Sequence, residues 1–509
     1  MNSFDVIIVG YAVNQRSGGY SDNSFTFLET IGGRYLYSNC FLDTYCAEPM
    51  AFMQLSAELK AVGWTVKVID GLILGYTKER IIEEIDSVNS NIYCFSIYES
   101  TKQDIYEVIH QLKIKRPETK VILGGPYATI SANEIMDENN NIDYIIVGDA
   151  DAALPKLVSK ISNCQDVFSV PNLFHRHNGN IIINDAICVD LDKLEYPERL
   201  YSDIIIKEGY SFAVSSSRGC GYANCGFCYL PKFQKMGRQP KFRYKNPKLV
   251  VNEIKDLIEK YDIKKLSFCD DDFFGDENGI NRAMDIFRLL IQESIKISLH
   301  VNTRAKTVIQ LVQSGLLKLC TDAGVAYMYV GLESYNESAL ERYNKGISTS
   351  DIDYVVNELN KHNILINPGL ITFDPYLSID EVKNNIDLFK RIKYYDAFMF
   401  TRRLLIYPNV SQKIRNLQNF EHSFVQLPTK LLYDAMSKYR DAIFPQYVNL
   451  NRKSVTEELK YELIKCHYDC FYTVYKTLKT VDNNCNIVID NFVNKASKIL
   501  FESLQNIDR

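Results

Sequence analysis

The chain has 509 residues, too many for one hydrophobic core, and its length points to roughly two to four domains. With 46% hydrophobic and 24% charged residues it has an ordinary globular composition, and a net charge of −5 with Lys and Arg spread out leaves no footprint for nucleic acid. No apolar run approaches the ~20 residues of a membrane span, no basic segment precedes an apolar one at the N-terminus, and thirteen scattered cysteines fit a reducing compartment, so the expected location is the cytoplasm.

From Phe4 to about Ile161, continuous apolar runs alternate with amphipathic ones. Strands are predicted over 4–10, 65–70, 92–97, 120–123 and 144–147, and helices over 50–62, 78–88, 103–115 and 132–138. This alternation predicts a doubly wound parallel sheet covered on both faces. Such sheets bind ligands beyond the carboxyl ends of their strands, here at the loops 96–101, 124–129 and 148–151. Gly124-Gly125-Pro126 lets a ligand come close to the backbone, although a tight strand-to-helix turn explains the glycine pair equally well. Residues 11–49 carry two β-like runs about Gly32-Gly33 and are expected to form a hairpin lid. Val170-Pro171-Asn172-Leu173-Phe174, the turn Asn178-Gly179-Asn180 and Leu191-Asp192-Lys193-Leu194 follow in a stretch that suits a strap between domains.

After a β-like run from Phe212 to Ser216 comes a loop with Cys220, Cys225 and Cys228, separated by four residues and then two. No further Cys or His follows before Cys269. A structural zinc normally closes its fourth position with a nearby ligand, whereas three thiolates suit a cluster with one open iron. The βα alternation then resumes, with strands predicted at 266–269, 297–301, 327–332, 365–372 and 398–406. With the strand at Phe212 these make six βα units and a parallel, incomplete barrel, whose polar groups belong at the strands' C-terminal ends.

Those ends carry Asp270-Asp271-Asp272, Arg304 and Glu333. Adjacent buried carboxylates call for a cation or an ammonium group, although one or two of the three could instead cap the next helix. Arg304 is a fixed cation at the same height. From Tyr407 onward the pattern is helical, and Cys466, His467 and Cys470 read as core positions of a helix rather than as metal ligands.

These segments together resemble a known family. The cysteine loop, with Phe227 before its last Cys and Tyr229 after it, resembles the cluster loop of radical S-adenosylmethionine (SAM) enzymes, with one residue more than that family's usual first spacing. The Ser96 loop, Leu123 to Ala128 and Val147-Gly148-Asp149, followed by the strap, resemble the cobalamin-binding domain and connector that precede many radical SAM cores. Val330 to Ser334 resembles the family's fourth strand.

The resemblance implies an α/β chain with a cobalamin-binding-like doubly wound parallel sheet over 1–164, a linker over 165–209, a partial (β/α)6 radical SAM barrel over 210–406 and a C-terminal helical region over 407–509. It implies a 4Fe-4S cluster on Cys220, Cys225 and Cys228, SAM beside Phe227, Asp271, Asp272, Arg304 and Glu333, and cobalamin beside Ser96, Ser100, Gly124, Gly125, Pro126 and Gly148. The Asp-x-His-x-x-Gly loop of other cobalamin proteins is missing, since Val9-Gly10-Tyr11-Ala12 follows the first strand, and His110 falls on a predicted helix surface. Cobalt is then expected to lack a histidine on its lower face.

The implied activity is methylation of an unactivated carbon of a peptide or small-molecule substrate, through methylcobalamin and a 5'-deoxyadenosyl radical. An electron donor such as flavodoxin or ferredoxin is implied as a partner. A non-methylating rearrangement or cyclisation, or a cluster or cobalamin sensor, are the alternatives.

Overall fold

The computed structural model describes residues 2–10, 48–208, 211–394, 399–404, 407–408, 424–448, 457–480 and 485–505. The hairpin lid expected within 11–49 lies outside the described residues.

The first part of the chain forms β1 (Asn2–Ser3), β2 (Val6–Val9), β3 (Val66–Ile69), β4 (Val88–Asn89), β5 (Ile92–Ser96), β6 (Lys120–Gly124), β7 (Tyr144–Ile146), β8 (Leu173–His177) and β9 (Asn180–Ile183). The main sheet has the order β3-β2-β5-β6-β7-β8-β9, parallel up to β7, while β1 and β4 pair apart from it. Its central strands β2 and β5 are almost wholly apolar because both faces are covered. Ile7, Val9, Tyr93, Phe95, Val121 and Leu123 enter one core, and Val6, Ile8, Ile92, Cys94 and Ile122 enter the other. That is the alternation of a strand's side chains between two helical layers.

The turn expected at Asn178-Gly179 is a hairpin, with both residues at positive φ, 49° and 79°. It sets β8 and β9 antiparallel on the edge of the first sheet, so this part of the connector is continuous with that sheet.

The second part forms β10 (Phe212–Val214), β11 (Ser217–Gly219), β12 (Phe242–Tyr244), β13 (Lys265–Phe268), β14 (Ser298–Arg304), β15 (Val325–Glu333) and β16 (Leu365–Leu370). Five of these make an all-parallel sheet in the order β10-β13-β14-β15-β16, and β11 and β12 form a separate antiparallel ribbon. At the sixth barrel position, among the described residues, a single parallel bridge joins Phe373 to Arg403. The strand expected over 398–406 falls partly outside the described residues.

The free edge of β10 is covered by side chains rather than by a strand. The Ala213 N–H donates to Glu48 (2.7 Å) and its carbonyl accepts from Arg199 (2.8 Å). Arg199 also pairs with Glu48 (3.0 Å) and Glu253 (2.8 Å), all three side chains being buried. Arg199→Leu is expected to cost about 3–5 kcal/mol, because it removes the cation that two buried carboxylates share, with Lys245 at 3.7 Å remaining beside Glu253. A lowered thermal midpoint would show this, and a midpoint equal to that of the parent would contradict it.

Helices Leu427–Val448, Glu457–Lys479 and Cys485–Gln505 share the barrel's apolar core, with Leu432, Tyr439, Leu463 and Phe471 buried in it. Cys466, His467 and Cys470 are buried there as core residues. The His467 ring bonds the Tyr439 hydroxyl at 2.8 Å, and burial lowers its pKa to about 3. His110 lies exposed on the helix Lys102–Lys115. Among the described residues no helix is long and apolar enough to cross a membrane.

Candidate functional site

β10 delivers the chain to the cysteine loop through a turn organised by Asp270. This buried carboxylate accepts the N–H groups of Ser216 (2.7 Å) and Ser217 (3.0 Å) and the Ser216 hydroxyl (2.5 Å). Arg282 donates to the same hydroxyl at 2.7 Å. One of the three adjacent carboxylates is thus committed to shaping the backbone that leads into the loop.

The loop itself is held by its backbone. Cys220 N–H donates to the Lys241 carbonyl (2.8 Å) and Gly226 N–H to the Tyr343 carbonyl (2.8 Å), while Asn344 donates to the Asn224 carbonyl (2.9 Å). The four-residue first spacing is accommodated by Ala223 in the left-handed region, φ 41°. Gly221 lies so close to Gly275 that a Cβ would meet its carbonyl at 2.3 Å.

Burial pushes the Cys220 thiol up to about 11 and the Cys228 thiol up to about 12, and it raises Cys225 as well. These are not reactive free thiols, and binding iron must expel their protons. Among the described residues no three His, Cys, Asp or Glu side chains converge as the ligands of one ion would. A four-iron cluster places each cysteine on a different iron, so three soft donors on one anchored loop fit it.

Asp271 and Asp272 diverge. Asp271 turns to a cavity, accepts the Gly219 N–H (3.2 Å), and is pushed up to about 6 by burial, with Asp270 and Asp272 adding to the effect. Asp272 is buried and pairs with Arg304 through Oδ2 at 2.7 Å. Its Oδ1 is buried with no hydrogen-bond partner, an orphan acceptor that an ammonium donor such as the SAM amino group would satisfy.

Glu333 closes β15 with φ 65° at an irregularity in the pairing with β16, and its carboxylate binds Lys345 at 2.7 Å. A non-glycine residue held in the left-handed region at a strand end carries backbone strain. Phe227 packs edge-on against Tyr343, their ring centroids 5.5 Å apart.

A cavity of about 380 Å³ lies between the two sheets. One wall is the carboxyl end of the first sheet, including Ser96, Gly124, Gly125, Pro126 and Gly148. The other comes from the flanks of the cysteine loop and its neighbours, including Ser215, Gly219, Tyr229, Leu230, Cys269 and Asp271. Ser100 does not line it. A Cβ added at Gly124 would meet nothing within 4 Å, so backbone there stands open to the void, as a bulky ligand pressed on the strand ends requires.

Of the expected site residues, the structure brings five of the six from the first sheet together with Asp271 around one void. It places Asp272, Arg304 and Glu333 in ion pairs beside the cysteine loop. Sequence reasoning missed the roles of Asp270, Lys345 and Tyr229.

Two family models meet these two walls. Residues 43–158 match the B12 binding domain and residues 214–389 match the Radical SAM superfamily. The chain is a radical SAM enzyme with a B12-binding domain. This radical SAM enzyme is 23% identical over 363 residues to the anaerobic magnesium-protoporphyrin IX monomethyl ester cyclase of Synechocystis, covering 68% of each chain. It is 26% identical to an uncharacterized methyltransferase of Pyrococcus horikoshii, over 64% of this chain and 70% of the relative. It is 21% identical to the hopanoid C-3 methylase of Methylococcus capsulatus, over 62% and 58%.

In fold it is similar to OxsB, a cobalamin-dependent SAM radical enzyme solved with aqua-cobalamin and SAM bound. The TM-score is 0.71 at 17% identity, over 99% of this chain and 78% of that one. It is also similar to the radical SAM methyltransferase TsrM of Kitasatospora setae, with a TM-score of 0.55 at 14% identity, over 77% and 72%.

Proposed function

We propose that this radical SAM enzyme is a cobalamin-dependent methyltransferase that acts on an unactivated carbon of a peptide or small molecule. The observation that carries the reading is the shared cavity, whose walls are the strand ends of the B12-binding domain and the flank of the cysteine loop. When bound, the cluster supplies an electron to cleave SAM and cobalamin supplies a methyl carrier.

The chain's own residues do the rest. Cys220, Cys225 and Cys228 hold the cluster. The orphan Oδ1 of Asp272 receives the amino group of SAM, Asp271 stands on the cavity side of the same turn, and the Arg304 and Lys345 cations hold Asp272 and Glu333 in place. Ser96, Gly124, Gly125, Pro126 and Gly148 bear on cobalamin. Leu230, Phe233 and Tyr229 give the void an apolar wall on the side of the cysteine loop.

The methyltransferases among the relatives support this reading. The cyclase among them favours a second one, in which both cofactors serve a radical cyclisation or rearrangement. A low-potential one-electron donor such as flavodoxin or ferredoxin, and the cytoplasm as a reducing location, complete the proposal.

The test is to incubate the reduced, reconstituted enzyme with SAM and quantify two products. S-adenosylhomocysteine records SAM spent as a methyl donor, and 5'-deoxyadenosine records SAM cleaved to a radical. Both are expected. 5'-Deoxyadenosine alone would move the assignment to the second reading, and neither product would contradict both.

A further inference from the structure

The loop after β7 does more than line the cavity. Gly148 faces the void, and the next residues carry two carboxylates into the radical SAM domain. Asp151 takes a two-pronged pair from Arg218, at 2.6 and 2.9 Å. Asp149 pairs with Arg218 at 2.8 Å and also with Arg243. The Asp149 and Asp151 side chains are only 8% and 4% exposed, so both carboxylates depend on these arginines for charge compensation.

The receiving surface is built for this loop. Arg218 and Arg243 stand directly opposite each other on the β11–β12 ribbon. Like charges in that position repel, and Asp149 between them removes the repulsion. Beside them Gly148, at φ 72°, meets Gly237 of the second domain so closely that a Cβ on either would lie 2.9 or 3.1 Å from the other's Cα. Arg218 lies in β11, two residues ahead of Cys220 in the sequence. One rigid guanidinium therefore connects the floor of the cavity to the root of the cysteine loop.

We propose that Arg218 is a positioning residue which, with Asp149 and Asp151, fixes the separation between the cobalamin cavity and the cluster loop. This rests on the reading that both cofactors are bound. Reactions between two bound groups are sensitive to displacements of about 1 Å, and a planar fork held by two carboxylates resists such displacement in a way that apolar packing does not.

The test uses the full chain reconstituted with iron, sulfide and hydroxocobalamin and then partly reduced. Both the reduced cluster and cob(II)alamin are paramagnetic, so the relaxation of the cobalt EPR signal reports their separation. Arg218→Gln is expected to keep its iron and cobalt while losing most of that relaxation enhancement, and the exchanged pair Arg218→Asp with Asp151→Arg is expected to restore part of it. Arg238→Gln, which removes an exposed pair with Asp185, serves as the control and should match the parent.

Parent-like relaxation in Arg218→Gln with full metal content would overturn the proposal. If the parent takes up no cobalt, the functional reading fails, and amide hydrogen exchange then judges the clamp by itself. About tenfold faster exchange in Arg218→Gln, at both 148–151 and 217–219, supports it. Exchange unchanged at either segment overturns it.

Discussion

Cys225→Ala is expected to reduce the iron retained after anaerobic reconstitution from about four per chain to almost none, with loss of the visible absorption of the cluster. The effect is chemical rather than structural. The loop keeps its shape through backbone contacts that the thiol does not make, from Gly226 to Tyr343 and from Asn344 to Asn224. The thiol is buried and pushed above its ordinary range, so it contributes no surface charge whose loss would disturb the fold. Removing it leaves two cysteines for a cluster that needs three protein ligands to leave one iron open. Far-ultraviolet circular dichroism should match the parent, and 5'-deoxyadenosine formation should disappear with the iron. Unchanged iron content and absorption would contradict the assignment of the loop.

Gly124→Phe is expected to separate the two cofactors. Gly124 ends β6 in extended backbone that any residue adopts, and nothing stands within 4 Å of the position its Cβ would take. The new Cβ therefore meets no protein atom, and the ring it carries at this cavity-lining position occupies space that cobalamin needs. Cobalt uptake should fall by about 100-fold or more, since blocking a ligand's volume forfeits several kcal/mol of binding, while iron content stays at the parent level. Equilibrium dialysis of hydroxocobalamin against both proteins measures it. Parent-like cobalt uptake would show that cobalamin does not sit on this strand end.

Much of the fold was legible because both sheets are parallel and buried. Runs such as Val6-Ile7-Ile8-Val9 announce a strand covered on both faces, and the helices between them show the complementary period. The cysteine loop was legible because its residues are adjacent in sequence. What the sequence left hidden depends on contacts between distant segments. Three consecutive carboxylates gave no sign that Asp270 shapes a turn, Asp272 pairs with Arg304 and Asp271 faces the void, because neighbouring residues on an irregular turn point in different directions. The contact of Phe227 with Tyr343 likewise joins segments far apart in sequence. Asp149 and Asp151 stood in a recognised loop, yet their partners Arg218 and Arg243 lie 67 and 94 residues away in sequence. Ser100 was placed with the cavity by its loop and lies outside it.

Cobalamin-dependent methyl transfer requires that one chain hold both cofactors. The most direct measurement is anaerobic reconstitution with iron, sulfide and hydroxocobalamin, followed by desalting and quantification of both metals against protein. About four irons and about one cobalt per chain are expected. Iron without cobalt would leave a radical SAM enzyme whose first domain serves another purpose, and methyl transfer through cobalamin would have to be abandoned.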